Sequence, residues 1–287
     1  MRIHAAIEEL HSEGFSISEL CRAAKITRQA IYQYRERNIP GRETENDQIA
    51  LEIARIYDKV DGIYGYRQMQ LVVNRSLEAH YNSKRIYRLM QLMGLKSVTR
   101  KKRKTYVKST PQHIAENKLN RDFTAGQVNQ KWLTDVTEFK FGDGQKAYLS
   151  AILDLYDNSI VAYVMGLSNN NELAYQTLKA AIQANPTAKP LFHSDRGFQY
   201  TSYGFAKILE AQGMEQSMSR VSRCIDNGPM EGFWGKLKAE RYNLKKHYSN
   251  YEELKTDTEG FIHFYNEERP QRKFKGLAPL KYRLLAA

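Results

Sequence analysis

From Trp132 onward the chain changes character, and that change restricts its fold more than any other feature. Three stretches rich in β-branched and aromatic residues, 131–141, 147–156 and 159–167, follow one another with only Gly142-Asp143-Gly144 and Asp157-Asn158 as punctuation. Such turn residues between apolar runs are strong hairpin signals, so the three stretches predict an antiparallel meander. Beyond it the pattern alternates: a helix over 171–184, a buried strand over 190–193, a helix over 203–212, a strand over 215–219 and a helix over 229–243. The expected product is an α/β domain with a mixed five-stranded sheet and helices. A last helix is expected over 251–267, with Leu254, Phe261, Ile262 and Tyr265 on its apolar side and Pro270 as the stop signal after it.

Ahead of the sheet the sequence is helical, in two groups of three. Residues 3–13, 18–25 and 28–37 form the first, with Thr27 set to N-cap the third helix and Ala30, Ile31 and Tyr34 on its inner side. Arg28, Gln29, Tyr32 and Arg35 are left facing solvent or DNA, which is the pattern of a helix-turn-helix DNA-binding module over residues 1–40. After the Pro40-Gly41 break, helices over 46–60, 66–79 and 83–93 form a second module, residues 45–95. Ser83 is expected to cap its last helix, Ile86, Leu89, Met90 and Met93 to form its core stripe, and Gly94 to end it. Lys84, Arg85 and Arg88 are then candidates for phosphate contact. A basic linker, 96–125, carries Arg100-Lys101-Lys102-Arg103-Lys104, of which Lys101, Lys102 and Lys104 can neutralise phosphates without reading bases. The domain that holds the sheet is expected over 126–245, with a C-terminal helix and tail over 246–287.

Charge agrees with this division of labour. The net charge is +12, and residues 1–110 hold 21 Lys+Arg against 12 Asp+Glu, while residues 111–287 hold 23 against 20. A positive field of domain size attracts polyanions, above all nucleic acid. Cys21 and Cys224, the only cysteines, exclude a disulfide scaffold and a zinc site of paired cysteines. His4, Glu8, Glu9 and Glu13 interrupt the apolar residues of the first fifteen positions, so no signal peptide is expected, and no later stretch reads as a membrane span. The expected setting is a reducing cytoplasm.

Three carboxylates stand out. Along the first strand Asp135 shares a face with Leu133, Thr137 and Phe139, a costly place for an acid unless it is paired or bound to a cation. Asp195 follows the strand ending at His193, and Gly197 is expected to let the chain turn sharply there. Glu231 opens a helix after Ile225-Asp226-Asn227-Gly228-Pro229, with Lys238 seven residues on and so on the same side. Each acid alone has a plain structural reading. Together, separated by 59 and 35 intervening residues, they are far more informative. Asp154, Asp157, Glu138, Asp226 and Glu240 read as turn or surface acids.

Thr134-Asp135-Val136-Thr137, His193-Ser194-Asp195-Arg196-Gly197-Phe198-Gln199-Tyr200 and Asp226-Asn227-Gly228-Pro229-Met230-Glu231 with Lys238 resemble the D,D(35)E signature of retroviral integrases and bacterial insertion-sequence transposases. The chain most resembles the second-frame transposases of the insertion sequence three family. Tyr64-Gly65-Tyr66-Arg67, Lys84 to Met90, Tyr265-Asn266, Arg269-Pro270 and Gly276-Leu277-Ala278-Pro279 extend the likeness over nearly the whole chain; Gln271 and Ala278 depart from the usual His and Thr or Ser. The resemblance implies a ribonuclease-H-like catalytic fold, with two Mg2+ ions (Mn2+ as substitute) bound by Asp135, Asp195 and Glu231 for DNA strand cleavage and strand transfer. It further implies that Lys238 and Asn227 hold the DNA end, and that the partners are double-stranded terminal repeats and target DNA. A homo-oligomer on DNA and an upstream-frame product, as fusion or partner, belong to the same picture. The competing reading is a catalytically silent or partner-dependent DNA-binding regulator of transposition; the presence of all three acids favours the enzyme.

Overall fold

The computed structural model describes residues 2–36, 41–99, 115–220, 224–245 and 247–286, so Lys101, Lys102 and Lys104 lie outside the described residues. The chain divides into two compact units, 1–52 and 53–287, with the boundary inside a helix, α4 (Gly41–Lys59), rather than at Pro40-Gly41. In the first unit, α1 (Arg2–Ser12), α2 (Ile17–Ala24) and α3 (Arg28–Glu36) close around the buried Ile7, Cys21 and Ile31. Lys25 ends α2 in a left-handed conformation, φ 55°, and Thr27 Oγ1 accepts the Ala30 N–H at 3.2 Å. A short turn thus joins α2 to α3 with the expected cap. An exposed ion pair, Arg35 Nε to Glu8 Oε1 at 2.9 Å, ties α3 to α1.

In the second unit, α5 (Tyr66–Ser76) and α6 (Ser83–Leu92) bury Met69, Val73, Ile86, Leu89 and Met90. The cap of α6 is Asn82 rather than Ser83: Asn82 sits in extended backbone and its Oδ1 accepts the Lys84 N–H at 2.9 Å, leaving Ser83 as the first helical residue. The chain after α6 closes the module through Ser97 Oγ, which donates to Ile63 O at 2.7 Å.

The sheet comprises β1 (Lys131–Phe141), β2 (Gln145–Asp154), β3 (Ile160–Gly166), β4 (Leu191–Ser194) and β5 (Glu215–Met218), in the order β3-β2-β1-β4-β5. The first three strands are antiparallel, while β4 and β5 add in parallel on the far side of β1. This is the ribonuclease-H-like arrangement. Two positive-φ glycines, Gly142 at 50° and Gly144 at 98°, make the first turn, and β2 starts directly after them. It ends at Asp154, two residues short of the expected limit, because Asp154 Oδ1 accepts the Tyr156 N–H at 3.0 Å and turns the chain.

Both faces of the sheet are covered. On one, α7 (Asn171–Ala184) and α8 (Tyr203–Ala211) set Leu178, Ala181, Phe205 and Leu209 against Trp132, Ile152 and Phe192. On the other, α9 (Gly228–Leu237) and, after the short α10 (Asn243–Lys245), α11 (Tyr251–Glu267) set Phe233, Leu237, Phe261 and Tyr265 against Leu133, Phe139, Leu149 and Leu153. Truncating one such phenylalanine to alanine removes about 3–5 kcal/mol. α12 (Pro279–Ala286) follows, and its Arg283 pairs with Asp154 at 2.8 Å and also with Asp157.

The single helix expected over 229–243 is interrupted. α9 stops at Leu237 and a π turn, Lys238–Tyr242, follows. Within the turn Glu240 faces inward and is held by Arg269, Nε to Oε2 at 2.8 Å, with both side chains less than a tenth exposed. Local helical periodicity cannot reveal a widening that coincides with a partner 29 residues away.

Candidate active site

The parallel ladder brings two of the three acids together. Leu133 pairs with His193 across β1 and β4, so two residues further on Asp135 and Asp195 stand side by side, Asp195 being the first residue past β4. Asp135 lies on the β1 face of Leu133 and Phe139. Its Oδ1 accepts the Val136 N–H at 2.8 Å, and its Oδ2 accepts the indole N–H of Trp234, on α9, at 3.0 Å. Asp195 Oδ1 accepts the Gly197 N–H at 2.8 Å. A Cβ at Gly197 would lie 3.0 Å from that same oxygen and 2.7 Å from Gln199 Oε1, so a larger residue would have to displace one of these side-chain ends; the φ of Gly197 is not positive.

Burial pushes the Asp135 carboxyl up to about 7, and the neighbouring Asp195 charge pushes the same way; the Val136 and Trp234 N–H groups offset only part of this. Burial raises Asp195 and Glu231 as well. Among the described residues, neither Asp135 nor Asp195 has an ion-pair partner. Two adjacent half-buried carboxylates without an ion pair are costly, and being still open to solvent on one side they present oxygen donors of the kind that suits hard divalent ions. A buried acceptor lies close to β1 too: Asn227 Oδ1 has no hydrogen-bond partner, while its Nδ2 donates to Thr134 O at 3.1 Å. One of the two amide N–H groups of Asn227 is thereby used inside the fold.

Glu231 occupies the first turn of α9. Its charge reaches Asp135 through space, yet among the described residues no group of three His, Cys, Asp or Glu side chains is gathered closely enough to hold one ion. Lys238 is on the Asp135 side of α9: its Nζ lies 5.4 Å from the Phe139 ring centre, and burial lowers its pKa against the opposing pull of Asp135 and Glu138. Trp234, which anchors Asp135, was legible only as a tryptophan three residues past Glu231 and hence on its side of the helix; a buried indole N–H needs an acceptor.

The expected DNA contacts are placed as follows. Arg28, Gln29 and Tyr32 are exposed on α3. Lys84 and Arg88 are exposed on α6, whereas Arg85 is half-buried with its guanidinium 5.2 Å from the Tyr81 ring centre. Among the described residues no helix is long and apolar enough to cross a membrane.

Comparison with known proteins places these features in a family. An HTH-like domain matches residues 44–103, which is the second helical module and not the first, and integrase core domains match residues 125–224 and 212–279. An "Uncharacterized transposase-like protein" of Haemophilus influenzae is 45% identical over 202 residues, covering 70% of this chain and 93% of that one. The protein named "Putative transposase InsK for insertion sequence element IS150", from Escherichia coli K12, is 37% identical over 270 residues and 94% of both chains. Among solved structures, the HTLV-2 integrase catalytic core in complex with magnesium is similar at 18% identity and TM-score 0.42, over 55% of this chain and 98% of that one. The chain belongs to the insertion-element transposases, DNA-transposition proteins that carry an integrase core domain.

Proposed function

We propose that this chain binds the ends of its element and carries out metal-dependent DNA strand cleavage and strand transfer, with Asp135, Asp195 and Glu231 as the metal ligands. The observation that carries the reading is the half-buried Asp135 and Asp195 pair, side by side where β4 leaves the sheet and without an ion-pair partner among the described residues. When bound, two Mg2+ ions, or Mn2+, supply the positive charge that stabilises the attacking and leaving oxygens of a phosphodiester displacement.

The protein's own groups prepare that site. Trp234 and Val136 orient the Asp135 carboxylate and Gly197 orients that of Asp195. The apolar floor of Leu133 and Phe139 excludes water, which strengthens every charge interaction above it. Glu231 completes the ligand set from α9. Lys238 offers an ammonium to the phosphates of the DNA end, and the exposed basic residues of α6 and α3 hold flanking duplex, chiefly through phosphates. The partners are double-stranded terminal repeats and target DNA, more than one copy of the chain on paired ends, and an upstream-frame product as fusion or partner.

Asp135→Asn, Asp195→Asn and Glu231→Gln are each expected to lower strand transfer on element-end DNA by a factor on the order of 10³, the several kcal/mol of charge stabilisation at stake, with DNA binding retained. Substantial joining by one of these variants in Mg2+ or Mn2+ removes that residue from the ligand set, and cleavage that survives a chelator overturns the metal requirement.

A further inference from the structure

Asp226 has the sequence position of a turn residue ahead of Gly228-Pro229, but its surroundings are not those of a turn. Its carboxylate is buried and accepts five N–H donors: Arg121 Nε at 2.7 Å, Arg220 N, Nε and Nη2 at 3.0, 3.0 and 3.2 Å, and Asn117 Nδ2 at 3.1 Å. Arg121 and Asn117 belong to the segment that runs along the outer edge of β5, where the Lys118 and Leu119 N–H groups both donate to Ser217 Oγ, at 3.0 and 3.1 Å. Arg220 belongs to the chain leaving β5. Its neighbour Ser219 is tied to the chain around Asp195 three times: the Ser219 N–H and Oγ donate to Ser194 O at 2.9 and 3.3 Å, and Arg196 Nε donates to Ser219 O at 2.6 Å. The residue after Asp226, Asn227, donates to Thr134 O, the carbonyl just before Asp135.

The start of α9 is therefore fastened at two points, and each fastening meets the chain next to one of the paired carboxylates. A turn needs one or two hydrogen bonds, and burying a charge with two arginines to form it is an expensive way to obtain them. We propose that Asp226 is a positioning residue for Glu231: the Arg121, Arg220 and Asn117 clasp fixes where α9 begins and hence where its first-turn carboxylate stands relative to Asp135 and Asp195. The inference rests on the reading of Glu231 as a metal ligand. Outer partners of this kind typically carry about 10–100-fold in metal affinity.

The test is Mn2+ binding to the full-length protein without DNA, measured by titration calorimetry, alongside the melting temperature without metal. Asp226→Asn is expected to weaken Mn2+ binding about tenfold or more, and Asp226→Asn in a Glu231→Gln background is expected to bind no worse than Glu231→Gln alone. Asp226→Asn that melts earlier yet keeps its Mn2+ affinity within twofold of the parent overturns the proposal. Glu231→Gln that binds Mn2+ like the parent overturns the ligand reading itself and takes this inference with it. Arg220→Gln and Arg121→Gln, at side chains 41% and 36% exposed, keep the test open if Asp226→Asn does not fold. Both should weaken Mn2+ binding in the same direction, and two folded variants with parental affinity would sink the clasp.

Discussion

Carboxylates fully or partly withdrawn from solvent occur in two regions of this molecule, and they differ in what stands beside them. At the rim of the core, burial pushes Asp226 up, but Arg220 and Arg121 outweigh it and hold the carboxyl well below its usual range. Glu240 is closed in with Arg269, and Asp154 shares Arg283 with Asp157. That shared arginine offsets only part of the burial, and Asp154 is pushed up to about 6. At the acidic centre Asp135 has no such partner among the described residues and rises to about 7. Asp226 thus faces two arginines and Asp154 shares one with Asp157, whereas among the described residues Asp135 forms no ion pair. Burial alone does not single out an acid for function; the proposal for Asp135 rests on a partly buried carboxylate with no ion pair among the described residues, whose balancing charge would come from outside the fold.

The comparison can be broken at its clasped end first. Glu240→Gln or Arg269→Gln leaves one buried charge without its partner, an expected loss of about 3–5 kcal/mol in urea unfolding, whereas replacing both by apolar residues of similar size should recover most of it. A neutral outcome for the single variants would mean that the pair is not what makes these charges tolerable.

A smaller effect of opposite sign is expected at the centre. In a chelator at pH 8, Asp135→Asn should be more stable than the parent by roughly 1–3 kcal/mol, the cost of an uncompensated buried polar group. The Asp135 pKa in the folded protein lies above its unfolded value of about 3.9, so folding takes up protons between the two. Metal-free parent should therefore lose stability as pH rises from about 4 through about 7, Asp135→Asn should flatten that limb, and added Mn2+ should erase the variant's advantage. Thermal melts across pH check all three, and a variant that melts below the parent in chelator at pH 8 would place Asp135 with the clasped acids.

The smallest changes are expected at exposed cations that neutralise no buried acid. Lys84→Ala and Arg88→Ala should each lower the salt dependence of end-DNA binding by about one counterion while leaving the Mn2+ response untouched. Salt slopes that stay at the parental value would move the phosphate contacts away from α6.

How much of this was legible in the sequence follows from the range of the forces involved. The limits of β1, α7 and α11 agree with the expected 131–141, 171–184 and 251–267, since apolar periodicity and turn chemistry act within a few residues. The alternation that put Asp135 with Leu133 and Phe139 is likewise local. So is the cap at Thr27, whereas the cap of α6 moved to Asn82 because two adjacent residues had the chemistry to serve and only backbone geometry chose between them. The spacing of Asp135, Asp195 and Glu231 carried the resemblance to the family without any coordinates.

By itself, then, the sequence determined most of the elements and the mixed sheet and singled out the three acids proposed as ligands, all of which depend on residue type and short separations. Only the tertiary structure decided which charges meet. The parallel register of β1 and β4 stands Asp195 beside Asp135, and Trp234 caps Asp135 from α9. Arg121 closes on Asp226 across 105 positions, and Arg269 meets Glu240 at a π turn that no heptad pattern foretells. The pKa of a buried acid depends on what lies within a few ångströms in space, and separation along the chain carries almost no information about that distance once it exceeds the length of one element.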